Sequence, residues 1–297
     1  FPVEAARKKP TMLTLLFDGV AFGMLLFVLS LGLAVTMGLM NFINLAHGAF
    51  AMAGGYVTVL LMDRAGVPFL ATLPLAFLLP ALVGAVAERL LYRPMYKRPH
   101  LDHVLFSIGL VFMTVAAVDW LVGSQQQIVK LPLWLQGRFE IASVGIGKYR
   151  LFIIVVCLLL TLMLQWVLGR TRFGSRLRAA VDDPRVAAGL GINVNQVFGV
   201  TFAVGSGLAG LGGALGAEVL GLDPSFPLKF MIYFLIVVSV GGTTTITGPL
   251  LAALLLGIAD VMGKYYVPQL GAFVVYLLMV IILFWRPQGL FGRGATR

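Results

Sequence analysis

The sequence predicts an all-α integral membrane protein with eight or nine transmembrane or re-entrant helices. Composition is the first reason. Of 297 residues, 60% are hydrophobic and only 11% are charged, whereas a soluble domain carries about 25% charged residues and needs them to cover its surface. Mean hydropathy is +0.98. The second reason is length. Thr11–Val35, Leu151–Leu168 and Leu270–Trp285 reach or approach the roughly 20 apolar residues that cross a bilayer. The third is where the charge lies. A formal net charge of +10 would suggest nucleic acid in a soluble chain. Here the cationic residues gather between apolar runs, so the lipid bilayer is the expected partner and nucleic acid is not.

In chain order, apolar segments fall at 12–36, 44–63, 68–92, 103–122, 150–169, 196–220, 229–241, 248–265 and 268–285. The first holds Asp18 early in its length. After the third comes a basic group, Arg89, Arg93, Lys97 and Arg98. A polar connection with Gln125, Gln126, Gln127, Trp134, Arg138 and Glu140 follows the fourth; it is too short for a separate domain. The fifth contains the only cysteine, Cys157, which excludes an internal disulfide and a cysteine metal site. It reads as an inert core thiol. Arg170, Arg172, Arg176, Arg178 and Arg185 come next, and Arg286, Arg293 and Arg297 close the chain. Phe1–Pro10 does not look like a signal peptide, because no small-residue cleavage site leads into a soluble domain. With no soluble domain boundary, residues 1–297 read as one transmembrane domain.

Loops rich in Lys and Arg stay on the cytoplasmic side, so these three basic segments are placed inside. Parity then works for the second half: 103–122 goes out, 150–169 returns, four crossings follow, and the C-terminus is cytoplasmic. The first half is less tidy. Three crossings before residue 93 put the N-terminus outside, against Arg7, Lys8 and Lys9. Either the stretch around 37–55 is re-entrant or broken, or the N-terminus is outside despite its charges.

Polar groups within apolar runs are candidates for function. Asn41, Asn44 and His47 recur at i, i+3 and i+6, one stripe if helical, and Gly48, Gly54 and Gly55 follow. They read either as a broken helix lining a pathway or as groups satisfying neighbouring backbone. A second cluster, Gly241–Pro249, holds Thr243, Thr244, Thr245 and Thr247. Pro249 suits the first turn of a new helix, with Thr247 as a cap, so this is a helix break or a short cytoplasmic turn. Gly212 and Gly216 form a small-xxx-small face for close packing or a dimer seam. Asp119, Glu218 and Asp260 fall near segment ends. None is clearly mid-span, where an ion-coupled carrier usually keeps an ionisable group.

The cytoplasmic loop 170–195 is the most informative stretch. Leu177, Val181, Ala188 and Ile192 can share an apolar side, and Pro184 divides the loop into two short helices, the second capped by Asp183. Such a pair suits docking into a groove on a partner, or lying on anionic lipid. The docking candidates are Arg178, Ala179, Asp182, Asp183, Ala187, Ala188, Gly189 and Leu190.

This loop resembles the ATPase-docking loop of ABC importer permeases. Met40–Phe50 (MNFINLAHGAF), Gly241–Pro249 (GGTTTITGP) and Phe284–Arg293 (FWRPQGLFGR) resemble the branched-chain amino-acid permeases of the LivH type, over nearly the whole chain from residue 12 to residue 293. The resemblance implies an ABC importer permease fold and half of a translocation pathway for amino acids, branched-chain ones first, or for a related small polar solute. It also implies a second permease subunit, two cytoplasmic ATPase subunits and a periplasmic substrate-binding protein, in the inner membrane of a bacterium. Two departures stand out: Ala49 follows His47-Gly48 where the family often has an acid, and threonines fill the middle of GGTTTITGP in place of Gly-Gly-x-Gly-Ser.

Two other classes compete with this one. An ion-gradient-coupled carrier or channel would work without an ATPase. An intramembrane enzyme would need motifs this chain lacks: no Gly-x-Ser-x-Gly elbow, no His-Glu-x-x-His and no catalytic, cofactor or metal constellation. A P-loop needs Gly-Lys followed by Ser or Thr, and the two Gly-Lys pairs are followed by Tyr149 and Tyr265. ATP hydrolysis is therefore expected from partners.

Overall fold

The computed structural model describes residues 11–40, 42, 44–141, 144–242 and 246–290. Its helices are α1 (Met12–Met40), α2 (His47–Ala65), α3 (Phe69–Ala87), α4 (His100–Val122), α5 (Lys148–Arg170), α6 (Arg172–Asp182), α7 (Pro184–Gly189), α8 (Val194–Leu220), α9 (Phe226–Gly241), α10 (Thr247–Tyr266) and α11 (Gly271–Trp285). A π-helical turn, Glu88–Tyr92, and a 3-10 turn, Arg93–Lys97, continue α3. Among the described residues, six helices are long and apolar enough to cross a membrane. Two more, Phe226–Gly241 and Phe273–Trp285, are shorter and apolar. Helix α2 stands apart because its last turns carry Asp63 and Arg64. The expected all-α architecture needs one correction. Arg138–Ile141 (β1) and Val144–Gly147 (β2) form an antiparallel hairpin within the polar connection.

Helix α8 sits at the centre because its glycines let three neighbours approach it. A Cβ on Gly213 would fall 1.8 Å from the Ala51 carbonyl oxygen of α2, and one on Gly210 would fall 2.4 Å from the Ala76 carbonyl of α3. Only glycine tolerates backbones this close. Gly212 faces Leu29 of α1. The small-residue face is thus consumed inside the subunit, which removes the dimer-seam alternative for Gly212. Pro80, inside α3, lies against Gly210. Such prolines are tolerated in a bundle that satisfies the freed backbone groups. The most apolar window of α1 is 78% buried against 11% for α4 and 17% for α5, so α1 and α8 form the core while α4 and α5 face outward.

Contacts along the helices fix their directions. Gly32 and Gly212 of α1 and α8 pack against Gly205 and Leu29, so the two run antiparallel; Gly23 beside Ala253 and Gly19 beside Ile258 do the same for α1 and α10. Helix α3 also opposes α8, since Ala76 meets Gly210 and Gly84 meets Ser206. The bundle therefore has two distinct ends. One carries the starts of α1 and α5, joined by an Arg150–Asp18 ion pair, with the hairpin and the C-terminal ends of α8 and α10. The other carries the turn at 88–97, α6 and α7, and residues 286–290, whose Leu290 N–H donates to the Val240 carbonyl at 2.7 Å. The described parts of the three basic segments lie at this second end.

Candidate functional site

Helices α6 and α7 are held at the basic end by three side-chain caps. The Thr171 hydroxyl accepts from Gly174 N–H at 3.3 Å. Asp183 accepts from Arg185 and Val186 N–H at 2.9 and 3.0 Å, and Asn193 accepts from Gln196 N–H at 3.0 Å to start α8. Each satisfies an orphan helix-start donor. Under the pair, Leu177, Ala180, Ala187 and Val197 form a small apolar core. This corrects part of the expected docking face: Ala187 is 1% exposed and points inward, and Ala179 is half-buried. Arg178, Asp182, Asp183, Ala188, Gly189 and Leu190 are exposed. Leu190, at 76%, and Val186 form an uncovered apolar spot between Asp182, Asp183 and Arg185. Periodicity alone missed this orientation because Pro184 resets the helix phase.

The same end is tied to the bundle by a buried carboxylate that sequence reading did not single out. Glu88 is 1% exposed yet accepts from Arg93 Nη2 at 2.9 Å, Arg93 Nε at 3.3 Å and the Tyr96 hydroxyl at 3.1 Å. It lies against Gly199 of α8. The signal was an acid placed five residues before an arginine at the end of an apolar run, within reach only because the π turn brings them onto one face.

The His-Gly cluster is also brought together, but not as one helical stripe. Asn41 lies outside the described residues. Asn44 precedes α2: its side chain accepts from Ala46 N–H at 3.1 Å, an Asx arrangement that competes with helix. It also accepts from the Tyr92 hydroxyl at 3.1 Å. His47 opens α2, and its Nε2 lies 2.8 Å from the Leu29 carbonyl of α1, so that nitrogen donates. Gly48 packs on the Pro227 backbone. Asn44 and His47 are 1% and 2% exposed and join α1, α2 and the turn after α3. Thr243, Thr244 and Thr245 lie outside the described residues. Thr247 is the first residue of α10 with Ile246 in the cap position, so the helix restarts one residue earlier than expected. Gly242 meets Gly289 here, joining the second and third sequence motifs.

At the opposite end, between α1, α5, α8, α9 and α10, is a cavity of about 350 Å³. The Tyr233 hydroxyl donates to Asp260 Oδ1 at 3.1 Å and Lys264 Nζ to Oδ2 at 2.6 Å, while Arg150 pairs with Asp18. Asp260 is 2% exposed. Its position near the end of a span agrees with the sequence; its burial and its partner Tyr233 on α9 could not be read there. Outside the spans, Asp223 in the α8–α9 connection accepts from Ser225 N–H at 2.8 Å. Burial pushes its carboxyl up, but Lys229 and Ser225 outweigh that and hold it below the ordinary carboxylate value.

A basic end with the capped α6–α7 pair, an apolar bundle and a charged chamber at the far end define a polytopic membrane protein. The chain belongs to the permease component family of branched-chain amino acid transport systems, whose sequence profile matches residues 15–283. It is 28% identical over 293 residues to the high-affinity branched-chain amino acid transport system permease protein BraD of Pseudomonas aeruginosa, covering 94% of this chain and 95% of BraD. To LivH of Escherichia coli it is 27% identical, covering 94% of each. To LivM of Salmonella typhimurium it is 28% identical, covering 90% of this chain and 68% of LivM. No solved structure matches the chain.

Proposed function

We propose that the chain forms one half of the translocation pathway of an ATP-driven importer of amino acids, branched-chain ones among them, in the inner membrane of a bacterium. A related second permease or a second copy supplies the other half, two cytoplasmic ATPase subunits drive it, and a periplasmic binding protein delivers substrate. The observation that carries this reading is the α6–α7 pair: exposed Leu190 and Val186 at the basic end, on a chain of the permease family. Their apolar underside is shared with Val197 of α8, so a partner moving the pair would move α8 and with it α1, α2 and α3. By the positive-inside rule that end, and the C-terminus with it, faces the cytoplasm. Lacking a P-loop, this chain relies on its partners for hydrolysis.

The test is an affinity pull-down in mild detergent from the native host, with ATP hydrolysis measured on the eluate. Co-purifying ATPase subunits and a second permease support the importer. A chain that purifies alone and transports on an ion gradient overturns it in favour of a secondary carrier.

A further inference from the structure

We infer that the chamber at the hairpin end is a binding site for a zwitterionic amino acid on its way into the bundle, with Arg150 taking the carboxylate and Asp260 the ammonium. The inference rests on the importer reading and adds to it a place and a chemistry of recognition.

Three observations carry it. The first is charge. The chamber is walled by two cations, Arg150 and Lys264, and two anions, Asp18 and Asp260. Of these four charged groups, the two carboxylates are sunk into the wall at 14% and 3% side-chain exposure while Arg150 and Lys264 stay 38% and 53% exposed, and charged groups on membrane-spanning helices are candidates for function. Their sum is zero. That suits a molecule carrying separated charges of both signs rather than a cation or an anion. The second is the remaining wall: the partly exposed Phe22, Val219, Leu220, Phe230 and Val261 offer an aliphatic side chain an apolar surface. The third is access. A second cavity of about 390 Å³ lies under the hairpin end, lined by Gln136, Arg138 and Glu218, and the two share Arg150 and Val219. Arg150 therefore borders both cavities and is paired with Asp18.

The existing pairs need not break for a ligand to bind. A guanidinium has five donors and a carboxylate has about four acceptor sites. Arg150 can hold Asp18 and a substrate carboxylate together. Each Asp260 oxygen, already accepting one bond, has room for an ammonium.

The test uses the assembled complex in nanodiscs, without nucleotide, carrying Leu220→Cys in the chamber wall. The native Cys157 is fully buried and silent to a membrane-impermeant thiosulfonate. L-Leucine at millimolar concentration is expected to slow modification several-fold, while leucinamide, lacking the carboxylate, and 4-methylpentanoate, lacking the ammonium, do not. Equal rates with all three, or equal protection by L-leucine and 4-methylpentanoate, overturn the zwitterion site. In parallel, Arg150→Met and Asp260→Asn are each expected to lower L-leucine uptake by about tenfold, the loss of one charged hydrogen bond, with ATP hydrolysis retained. Uptake at the parental rate in both variants overturns it too. If a variant fails to assemble, the protection result decides. A parent complex that imports no amino acid fails the importer reading itself; parental import with an unprotected thiol in the Leu220→Cys complex fails only the chamber.

Discussion

At the residue scale the informative side chains are the polar ones, and their partners decide what they do. Asn44 looks in sequence like a pathway residue, yet its carboxamide oxygen accepts from Tyr92, a tyrosine 1% exposed and ringed by Phe42, Phe106 and Phe202. Asn44→Leu would leave the Tyr92 hydroxyl buried without an acceptor, at about 1–3 kcal/mol. Tyr92→Phe removes the donor instead and should cost less. The double variant should recover part of the Asn44→Leu loss, because neither group is then orphaned. Melting curves of the four purified proteins check this. A double variant as unstable as the sum of the singles would show that Asn44 acts through something other than Tyr92. The motif itself was legible because asparagines and histidine interrupt an apolar run. Its partners were not, because Tyr92 is 48 residues away from Asn44 and only the packed bundle brings them together.

At the element scale the apolar segments were readable to within a few residues, since long hydrophobic runs have little alternative to helix in lipid. Two features escaped. The β1–β2 hairpin is too short, and too polar in its surroundings, to register by alternation. The inward face of α7 was misassigned at Ala187 because a six-residue helix holds too few positions for a period to emerge. This yields a paired prediction. Leu190→Arg places charge on the exposed apolar spot and should leave the chain folded while transport-coupled ATP hydrolysis falls. Ala187→Arg drives a cation into the Leu177–Ala180–Val197 core and should lower the yield of folded protein, by an overpacking cost of about 1–3 kcal/mol or more. Size-exclusion profiles and ATPase assays on both variants check it. A folded Leu190→Arg complex with parental coupled activity would remove α7 from the docking surface.

At the scale of the whole molecule, the sequence left the first half ambiguous because charge and parity disagreed, and no local pattern could weigh one against the other. The helix directions weigh them. Helix α1 runs antiparallel to α8 and α10 and starts beside α5 at the hairpin end, so residue 12 lies with the hairpin and opposite α6 and α7. Helix α2 then begins at His47 beside Leu29 and Gly32 of α1, well before the end of that helix. It finishes near the hairpin end, where Asp63 meets Lys130 at 3.3 Å. Helix α2 thus starts level with the middle of α1, and we propose from these directions that α1 begins on the non-cytoplasmic side, the second of the two alternatives. The expected consequence is a labelling pattern. Cysteines placed one at a time at Met12, Gln136 and Leu190, against a native Cys157 that is buried, should react with an impermeant maleimide in two classes. Met12→Cys and Gln136→Cys should react from outside intact cells, and Leu190→Cys only after the membrane is opened. If Met12→Cys reacts with the Leu190→Cys class instead, α1 does not run from the hairpin end to the basic end across the bilayer, and the positive charges at Arg7, Lys8 and Lys9 have prevailed over packing.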